Sequence, residues 1–348
     1  MSKKVFVGMS GGVDSSLTAA LLKEQGYDVT GVYMKNWSQD LPGMHCPWKE
    51  DYQDAKRVAV HLGIPFKLYD FETEYRQLVV DYMVREYQAG RTPNPDIMCN
   101  QEVKFGIFLK AALADGADMI ATGHYARVQD GQLLTAKNAE KDQTYFLYRV
   151  TEDALKHSLM PISEFKTKAE VRALAKKFGL NTADKKDSQG ICFVGNVGIK
   201  DFLLYELGEQ PHGAIIDEHG KAIGEHDGAL FYTIGQRHGL NVGGGLPYYV
   251  TGKDVAKNEV HVTRDLQDKN LWRNELQLAD LHWINGAPDA AKTYQARTRY
   301  RAPLVGGTIQ IKGKKAVLKL TEDVRAITPG QSAVVYEGER VVGGGIVI

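Results

Sequence analysis

Cysteine is scarce in this sequence, whose 348 residues include Cys46, Cys99 and Cys192 and no other thiol. Three thiols do not build a closed disulfide framework, so we expect a reducing compartment, the cytosol, as the setting. None of them has a Cys-x-x-Cys partner, which argues against a zinc site. They are also not clustered as the three ligands of an iron–sulfur enzyme would be, so we expect no such cluster.

Long apolar runs and an excess of charge are missing as well. No stretch of about 18 apolar residues occurs, so we predict no membrane span, and the N-terminal MSKKVFVGMSGG lacks a secretory pattern. The 43 basic and 43 acidic residues leave no net charge, unlike a strongly basic nucleic-acid binder. Mild local excesses of Lys and Arg in residues 156–187 and 275–348 permit RNA binding, although a solvated face is the simpler interpretation.

Strand-like and helix-like segments alternate in the N-terminal part of the chain. Short apolar runs predict buried strands, and apolar-periodic runs between them predict helices. The predicted strands are KVFVGM (4–9), DVTGVYMKNW (28–37), PFKLYDF (65–71) and DMIATGHYA (118–126). The predicted helices cover 16–26, 51–62, 72–89, 98–114 and 167–178. This alternation predicts an α/β fold with a parallel sheet covered on both faces.

The composition changes at about residue 208. From there the chain is rich in Gly, Val, Ile and Thr, with short alternating runs such as ALFYTIG (229–235) and YQARTRYR (294–301). Short strands with glycine turns predict small β domains, the last of them a β barrel. We therefore predict an α/β catalytic domain over 1–197, a central β-rich domain over 208–270 and a C-terminal β barrel over 272–348.

The segment SGGVDS, residues 10–15, lies between the first predicted strand and its helix. Gly11 and Gly12 let the backbone approach a ligand closely, and a helix N-terminus favours an anion, so the segment suits a phosphate. It is neither a Walker loop nor a GxGxxG motif. A helix N-cap at Ser10 or Asp14 is the simpler alternative. Yet SGGxDS after a strand resembles the PP-loop of ATP pyrophosphatases, which adenylate a carbonyl oxygen with ATP.

Ligands of open parallel sheets bind outside the carboxyl ends of the strands, and this rule adds two residues to the predicted ATP site. Met34 lies near the end of the second predicted strand and Gly123 near the end of the fourth, although core packing and a structural turn would also explain them. The predicted ATP-binding residues are Gly8, Met9, Ser10, Gly11, Gly12, Val13, Asp14, Ser15, Met34 and Gly123.

Two of the cysteines lie in motif-like segments, RTPNPDIMCN (91–100) and DSQGICFVG (187–195). The N-terminus of the predicted helix would lower the pKa of the Cys99 thiol and make it reactive. The alternative is a small buried side chain behind an N-cap at Asp96. Cys192 favours the first interpretation, because two cysteines in a domain that activates a carbonyl with ATP suggest transfer of a persulfide sulfur that displaces AMP.

Eight segments resemble, in chain order, those of the tRNA-specific 2-thiouridylases: GMSGGVDSS, RTPNPDIMCN, ATGHYA, KDQTYFLY, DSQGICF, FYTIGQRHGL, RTRYR and PGQSAVVYEG. The resemblance runs from about residue 4 to residue 348, and NPDxxCN paired with SxGICF is far more specific than the PP-loop. It implies ATP-dependent 2-thiolation of the wobble uridine of tRNA. In that reaction the C2 carbonyl oxygen is adenylated with release of pyrophosphate, and a cysteine persulfide supplies the sulfur of 2-thiouridine.

The resemblance also implies roles for individual residues. Cys192 would carry the persulfide, Cys99 would be the nucleophile that forms a transient disulfide with it, and Asp96 would act as acid or base. Asn94, Pro95 and Asp96 would face the target base. The implied tRNA contacts are His124, Lys141, Asp142, Gln143, Arg299, Tyr300 and Gln331. Cys46 has no implied role.

The expected cofactor is ATP with Mg²⁺, an ion that we do not expect the protein to hold by itself. The expected partners are tRNA and a sulfur-donor protein, either a cysteine desulfurase or a sulfur-relay protein. Arg297, Arg299 and Arg301 alternate along a predicted strand, so they would share one face toward RNA phosphates, or toward solvent.

Two other functions stay open on the sequence. One is a PP-loop ligase that activates a carboxylate for an amine, which needs no paired cysteines. The other is a nucleotide-binding or RNA-binding module without catalysis, which would bind ATP but release no pyrophosphate with tRNA.

Overall fold

A computed structural model describes residues 2–41, 43, 45–186, 198–240, 242–243 and 245–348. The N-terminal strands are β1 (Lys4–Gly8), β2 (Asp28–Lys35), β3 (Phe66–Asp70), β4 (Met119–Ala121), β5 (Ala126–Gln129), β6 (Gln132–Thr135) and β7 (Ser158–Leu159). Five of them form a parallel sheet in the order β3-β2-β1-β4-β7. The predicted α/β fold is confirmed. The sequence did not predict β7, whose two residues are too few for a periodic pattern.

The helices cover the sheet and include two π-helical segments. They are α1 (Val13–Glu24), α2 (Trp48–Leu62), α3 (Glu72–Tyr75), α4 (Asp81–Gln88), α5 (Pro95–Met98), α6 (Phe108–Ala114), α7 (Glu152–Lys156), α8 (Lys168–Lys177) and α9 (Ile199–Leu207). Residues Arg76–Val80 join α3 to α4 as a π-helix, and Cys99–Ile107 join α5 to α6 in the same way. Insertions of this kind are frequent at functional sites.

Burial along β1 and α1 fixes the loop between them. Val5 and Val7 of β1 are fully buried, and Leu17 and Ala20 of α1 pack in the same core cluster. Eight of the twelve residues of α1 are buried, so this helix is enclosed on most of its faces rather than packed along a single apolar stripe. Residues 9–12 are thereby held at the carboxyl edge of the sheet, where open α/β sheets bind ligands.

The central strands are β8 (Gly213–Ile216), β9 (Ala222–His226), β10 (Tyr249–Asp254) and β11 (Glu259–Thr263). They form one sheet in the order β10-β11-β8-β9. The prediction of a strand in ALFYTIG is wrong, because Ala229–Phe231 form a 3₁₀ turn. All three of these residues are buried. A strand would have pointed alternate side chains to opposite faces, whereas the turn places all three in the core.

The C-terminal strands are β12 (Trp272–Trp283), β13 (Tyr294–Arg297), β14 (Val305–Lys312), β15 (Lys315–Arg325), β16 (Ser332–Glu337) and β17 (Arg340–Val347). They are antiparallel, and pairing of β12 with both β15 and β17 closes the barrel. The predicted β barrel is confirmed, although β12 was not predicted. The hairpin β5–β6 of the N-terminal domain extends the barrel sheet, since Leu134 pairs with Arg340 of β17.

The strand predicted for YQARTRYR is too long. β13 ends at Arg297, and Arg301 has a φ of 62°, in the left-handed region. The chain therefore turns after β13, and Arg297, Arg299 and Arg301 do not share one strand face.

Two hydrophobic cores cross the domain borders. One contains Tyr75 and Cys99 of the N-terminal domain together with Phe231 of the central domain. Another contains Tyr148 of the N-terminal domain and Val334 of the barrel. The three domains are therefore packed on one another through continuous apolar clusters. Among the described residues, none of the helices has the length and apolar character needed to cross a membrane.

Candidate active site

The SGGVDS loop leads from β1 directly into α1. Gly12 is the N-cap of α1 and no side chain caps this helix, so the N-cap alternative for Ser10 and Asp14 is wrong. Gly11 has a φ of 76°, and a Cβ there would collide with the carbonyl oxygen of Asp51. The Ser10 N–H donates to Ser15 Oγ at 3.1 Å, which fixes the loop across its own turn. The loop keeps the shape of an anion site at a helix N-terminus.

Gly8, Met34 and Gly123 lie around this loop. A Cβ on Gly8 would be 2.9 Å from Cε of Met34, and a Cβ on Gly123 would be 2.7 Å from the backbone nitrogen of Ser15. Glycine at these positions therefore allows the ends of β1 and β4 to pack closely against β2 and α1. The residues predicted to bind ATP meet at one edge of the sheet, and their contact with ATP stays a prediction.

Asp14 of the loop is paired with a lysine from a distant part of the chain. Lys168 Nζ donates to Oδ1 and to Oδ2 of Asp14, both at 2.7 Å. The hydroxyl of Tyr125 donates to Asp14 Oδ1 at 2.9 Å. The Lys168 side chain is only 16% exposed, so its ammonium is held at the loop rather than in solvent. A cation at a helix N-terminus with glycine turns is suited to phosphate groups.

Sequence reasoning missed Lys168, although its position carried a signal. It is the first residue of α8, directly after the N-cap Thr167, whose hydroxyl accepts the N–H of Glu170. A cation at a helix N-terminus opposes the helix dipole and costs about 0.3–1 kcal/mol. A lysine at the start of a well-capped helix is therefore a candidate for a functional role.

Cys99 lies within the helical segment that begins with Pro95, after the N-cap Asn94. Its thiol is 5% exposed and packs in the apolar core that includes Tyr75. Burial raises the pKa of the Cys99 thiol, while Lys104 works in the opposite direction. The prediction of a lowered pKa is wrong for this conformation. Cys99 follows α5 rather than starting it, and the helix dipole lowers a thiol pKa mainly within the first turn of a helix. Removal of the thiol from water raises its pKa, and for buried Cys99 this effect is the larger one.

Asp96 lies one turn before Cys99 and is partly exposed. The N-cap of α5 is Asn94, so the alternative role of Asp96 as an N-cap is wrong. Burial raises the pKa of the Asp96 carboxyl, and Lys104 opposes this shift. A carboxyl group with a pKa nearer neutrality is better matched to proton transfer. Asn94 is partly exposed as well, whereas Pro95 is buried.

Cys192 lies outside the described residues, and so does the predicted Cys99–Cys192 disulfide. The described chain on its N-terminal side is fixed to α2, where Lys185 Nζ donates to Asp51 Oδ1 and to Asp54 Oδ2, both at 2.7 Å. Asp51 is also the residue against which Gly11 packs. The chain therefore leaves the described region beside the PP-loop, and the sulfur-carrying role of Cys192 stays a prediction.

His124 is 8% exposed, with Nδ1 at 2.8 Å from Thr122 Oγ1 and its ring 5.7 Å from that of Phe105. Burial lowers the pKa of the His124 imidazole well below its usual range, so the ring is neutral at pH 7. In this conformation His124 is packed inside the domain, and its predicted tRNA contact remains untested.

The three residues of the segment Lys141–Gln143 differ in their exposure and in what their side chains bind. Asp142 is 4% exposed, and its carboxylate accepts the N–H of Ala136 at 2.7 Å. Gln143 Oε1 accepts the N–H of Tyr125 at 2.9 Å. The Asp142 carboxylate thus organises its own segment, while Lys141 and Gln143 are partly exposed and are the better placed of the three to face RNA.

Arg299 joins the central domain to the barrel. Its Nη2 donates to the carbonyl oxygens of Ile234 and Ala326, at 2.9 and 2.8 Å, and to Thr328 Oγ1 at 2.8 Å. Tyr300 follows, and its ring lies 4.5 Å from that of Phe146 in the N-terminal domain. Both residues predicted to contact tRNA therefore bridge domains in the described conformation.

Gln331 makes a third bridge. Its Nε2 donates to the carbonyl oxygen of Thr92 at 2.8 Å and to that of Pro93 at 3.2 Å, in the loop before Asn94. A cleft of about 330 Å³ opens beside it. The cleft is lined by Thr233, Ile234, Gly235, Gln236, Arg299 and Gln331.

Comparing substitutions of Arg299 and Arg301 distinguishes a role in interdomain packing from a role in RNA binding. Arg299→Glu places a carboxylate against two carbonyl oxygens, so we expect the free energy of unfolding to fall by about 1–3 kcal/mol. Arg301, exposed and 5.1 Å from the Tyr300 ring, provides the matched control. Arg301→Glu should weaken tRNA binding through lost phosphate attraction without changing thermal unfolding. Unchanged thermal unfolding of Arg299→Glu would contradict the tethering role.

Three family profiles together match nearly all of the chain. The tRNA methyl transferase HUP domain matches residues 3–196, the tRNA methyl transferase PRC-barrel domain residues 200–264 and the aminomethyltransferase β-barrel domain residues 273–347.

Curated relatives match the whole chain. The tRNA-specific 2-thiouridylase MnmA 2 of Geobacillus kaustophilus is 47% identical over 351 residues, covering 99% of this chain and 94% of that protein. The tRNA-specific 2-thiouridylases MnmA of Geobacillus thermodenitrificans and Streptococcus sanguinis are each 46% identical, covering 99% of this chain and 94% and 95% of theirs. Identity of this degree along almost the full length of both chains shows that the protein belongs to the tRNA-specific 2-thiouridylase family.

Proposed function

We propose that this protein uses ATP to convert the wobble uridine of tRNA to 2-thiouridine. ATP adenylates the C2 carbonyl oxygen and releases pyrophosphate, and sulfur from a persulfide on Cys192 then replaces the oxygen, which leaves with AMP. The single observation that carries the proposal is the near full-length identity to proteins named tRNA-specific 2-thiouridylases. As a member of that family the protein is a tRNA sulfurtransferase, and the mechanism above goes further.

The geometry of the PP-loop supports the adenylation step. The loop offers backbone N–H groups at the start of α1, and Lys168 adds a cation held on Asp14. These groups suit the negative charge that builds on the β and γ phosphates as pyrophosphate leaves. We assign the phosphates to Gly8–Ser15, and the adenosine to the edge near Met34 and Gly123.

The sulfur-transfer step balances with both cysteines. The Cys99 thiolate attacks Sγ of Cys192 in the persulfide, which forms the Cys99–Cys192 disulfide and releases hydrosulfide. Hydrosulfide adds to C2 of the adenylated uridine and expels AMP, and loss of its proton leaves the C2=S group. A thiol reductant must then reduce the disulfide before another turnover.

Asp96 is assigned the proton transfers of this step. The Cys99 thiol has a raised pKa, so it needs a base to form the thiolate. Burial also raises the pKa of the Asp96 carboxyl, which makes its carboxylate a stronger base than an ordinary aspartate. Asn94 and Asp96 then face the target base next to Cys99.

Mg²⁺ belongs to the proposal as the ion that accompanies ATP. Among the described residues, no three His, Cys, Asp or Glu side chains are grouped to hold a metal ion. Both oxygens of the Asp14 carboxylate at the loop accept hydrogen bonds from Lys168, so Mg²⁺ would be held mainly by the phosphates of ATP and by water. When bound, the ion neutralises charge on the leaving pyrophosphate.

The proposed partners follow from the chemistry. tRNA is the substrate. Four side chains can contact the tRNA backbone without rearrangement of the protein: Lys141, Gln143, Tyr300 and Arg301. The remaining predicted contacts would require a rearrangement or would be made by main-chain atoms of the protein: His124, Asp142, Arg299 and Gln331. A sulfur-donor protein must load Cys192, since neither ATP nor tRNA provides sulfur. A reducing location, the cytoplasm, suits both thiols.

The test is mass spectrometry of nucleosides from tRNA incubated with the protein, ATP, Mg²⁺, a cysteine desulfurase with cysteine as the persulfide donor, and a thiol reductant. We expect 2-thiouridine at the wobble position with pyrophosphate and AMP formed in equal amounts. The controls are the same tRNA with cytidine at that position and ATP replaced by its α,β-methylene analogue, and neither should yield product. Release of pyrophosphate without any thiouridine would reject thiolation in favour of another adenylating reaction.

A further inference from the structure

The motif FYTIGQRHGL has no part in the reaction described so far, yet one of its residues contacts the catalytic loop. Thr233 Oγ1 lies 3.1 Å from Thr92 Oγ1, and the two hydroxyls share a hydrogen bond. Thr92 is 8% exposed. This bond joins the central domain to the segment RTPNPDIMCN, which carries Asp96 and Cys99.

The barrel holds Thr92 from another side. The Thr92 N–H donates to the carbonyl oxygen of Pro329 at 2.9 Å, and the Thr92 carbonyl accepts from Gln331 Nε2 at 2.8 Å. A Cβ on Gly330 would be 2.8 Å from Thr92 N, and Gly330 has a φ of 92°. We call Thr233, Pro329, Gly330 and Gln331 together the Thr92 clamp. It binds the N–H, the carbonyl and the hydroxyl of one residue.

The two sides of the clamp are also fixed to each other. Arg299 Nη2 donates to the carbonyl of Ile234, next to Thr233, and to Thr328 Oγ1, next to Pro329. A change in the relative position of the central domain and the barrel would therefore shift the groups that bind Thr92.

Proline makes the loop after Thr92 a stiff connection. Pro93 and Pro95 fix their own φ angles, and each restricts the residue before it, so few torsions separate Thr92 from Asn94 and Asp96. A position imposed on Thr92 is thus passed to the residues that face the target base. Misplacement of reacting groups by about 1 Å costs as much as about 100-fold in rate.

We propose that Thr233 is a positioning residue for sulfur transfer, which acts through Thr92 to hold Asn94, Asp96 and Cys99 against the activated base. This inference rests on the proposed function. The PP-loop is held by other contacts, those of Gly11 with Asp51 and of Gly123 with Ser15. Loss of the Thr233 hydroxyl should therefore affect sulfur transfer and leave adenylation alone.

The test compares Thr233→Val with Thr233→Ser under single-turnover conditions at saturating tRNA. We expect Thr233→Val to slow thiolation by about tenfold while pyrophosphate release changes by less than about twofold. Thr233→Ser keeps the hydroxyl and should restore the rate. Thr263→Val is the matched control, because its buried hydroxyl accepts the N–H of Asp265 in the same domain, away from the loop.

A double-mutant cycle identifies Thr92 as the intermediary. If Thr233 acts through Thr92, Thr92→Val with Thr233→Val should be no slower than the slower single variant. Additive losses would overturn the proposal, as would equal slowing of pyrophosphate release and thiolation by Thr233→Val.

Hydrogen exchange keeps the inference separate from the proposed function. Exchange at residues 91–98 should be faster in Thr233→Val than in wild type or Thr263→Val, whether or not the protein makes thiouridine. If Thr233→Val fails to fold, Gln331→Met removes the barrel donor instead and should also quicken exchange there. Unchanged exchange in a folded variant would overturn the clamp.

Discussion

Replacing Cys99 by serine is expected to abolish 2-thiouridine formation, by more than about 1,000-fold, while tRNA-dependent pyrophosphate release continues. Serine lacks the thiolate needed to attack a sulfur, and adenylation at the PP-loop needs no thiol. The persulfide should therefore remain on Cys192 after treatment with the sulfur donor. Peptide mass spectrometry for the added sulfur, together with nucleoside analysis, measures both outcomes.

Cys192→Ser is expected to lose thiolation to the same extent for a different reason. It should carry no persulfide at the active site, because the residue that accepts the sulfur is gone. The roles of the two cysteines are thus distinguished by where sulfur accumulates, although both variants fail to thiolate. A persulfide found on Cys99 and never on Cys192 would reverse the assignment.

Cys46 provides the matched control. It is a buried thiol, 4% exposed, and its Sγ lies 3.6 Å from the carbonyl oxygen of Trp37. Burial raises the pKa of the Cys46 thiol, as it does for Cys99. Cys46→Ser should keep full thiolation, so a buried thiol with a raised pKa is not by itself a functional one. Normal thiolation by Cys99→Ser would reduce Cys99 to the same status.

The parts of the fold that sequence patterns predicted are those set by local periodicity. The strands β1 to β4 and their helices follow from apolar runs and helical spacing, and the PP-loop follows from two glycines between a strand and a helix. Local periodicity did not predict the pairing of Leu134 with Arg340, because that pairing depends on how two domains meet.

Interdomain contacts also explain what local patterns missed at the candidate site. The family resemblance implied a tRNA contact for Arg299, which stays a prediction, but local patterns did not predict that three acceptors from two other segments bind its guanidinium. Cys99 looked like a helix-start thiol, yet the core around it includes Phe231 of the central domain, and burial raises its pKa. The sequence around Arg299 and the sequence around Cys99 do not predict these environments, because the contacts come from distant parts of the chain.

The last prediction concerns Lys168, which local patterns left unmarked because its partner Asp14 lies 154 residues away. Lys168→Met is expected to lower tRNA-dependent pyrophosphate release by about 1,000-fold. One unit charge at about 4 Å from a phosphate is worth about 4 kcal/mol in a site of intermediate dielectric, and that is about three factors of ten in rate. Asp14→Ala should abolish release as well, since the lysine then loses the carboxylate that holds it at the loop.

The control for Lys168→Met is Lys166→Met, two residues earlier on an exposed part of the chain. Removing a lysine there leaves the Asp14 pair in place, so pyrophosphate release should stay at the wild-type rate. If Asp14 and Lys168 act as one unit, the double variant should be no slower than the slower single variant. Release near the wild-type rate in Asp14→Ala would remove the loop from the ATP site. If only Lys168→Met releases pyrophosphate near the wild-type rate, Lys168 does not act on the phosphates. Its role would then be limited to neutralising Asp14 before ATP binds.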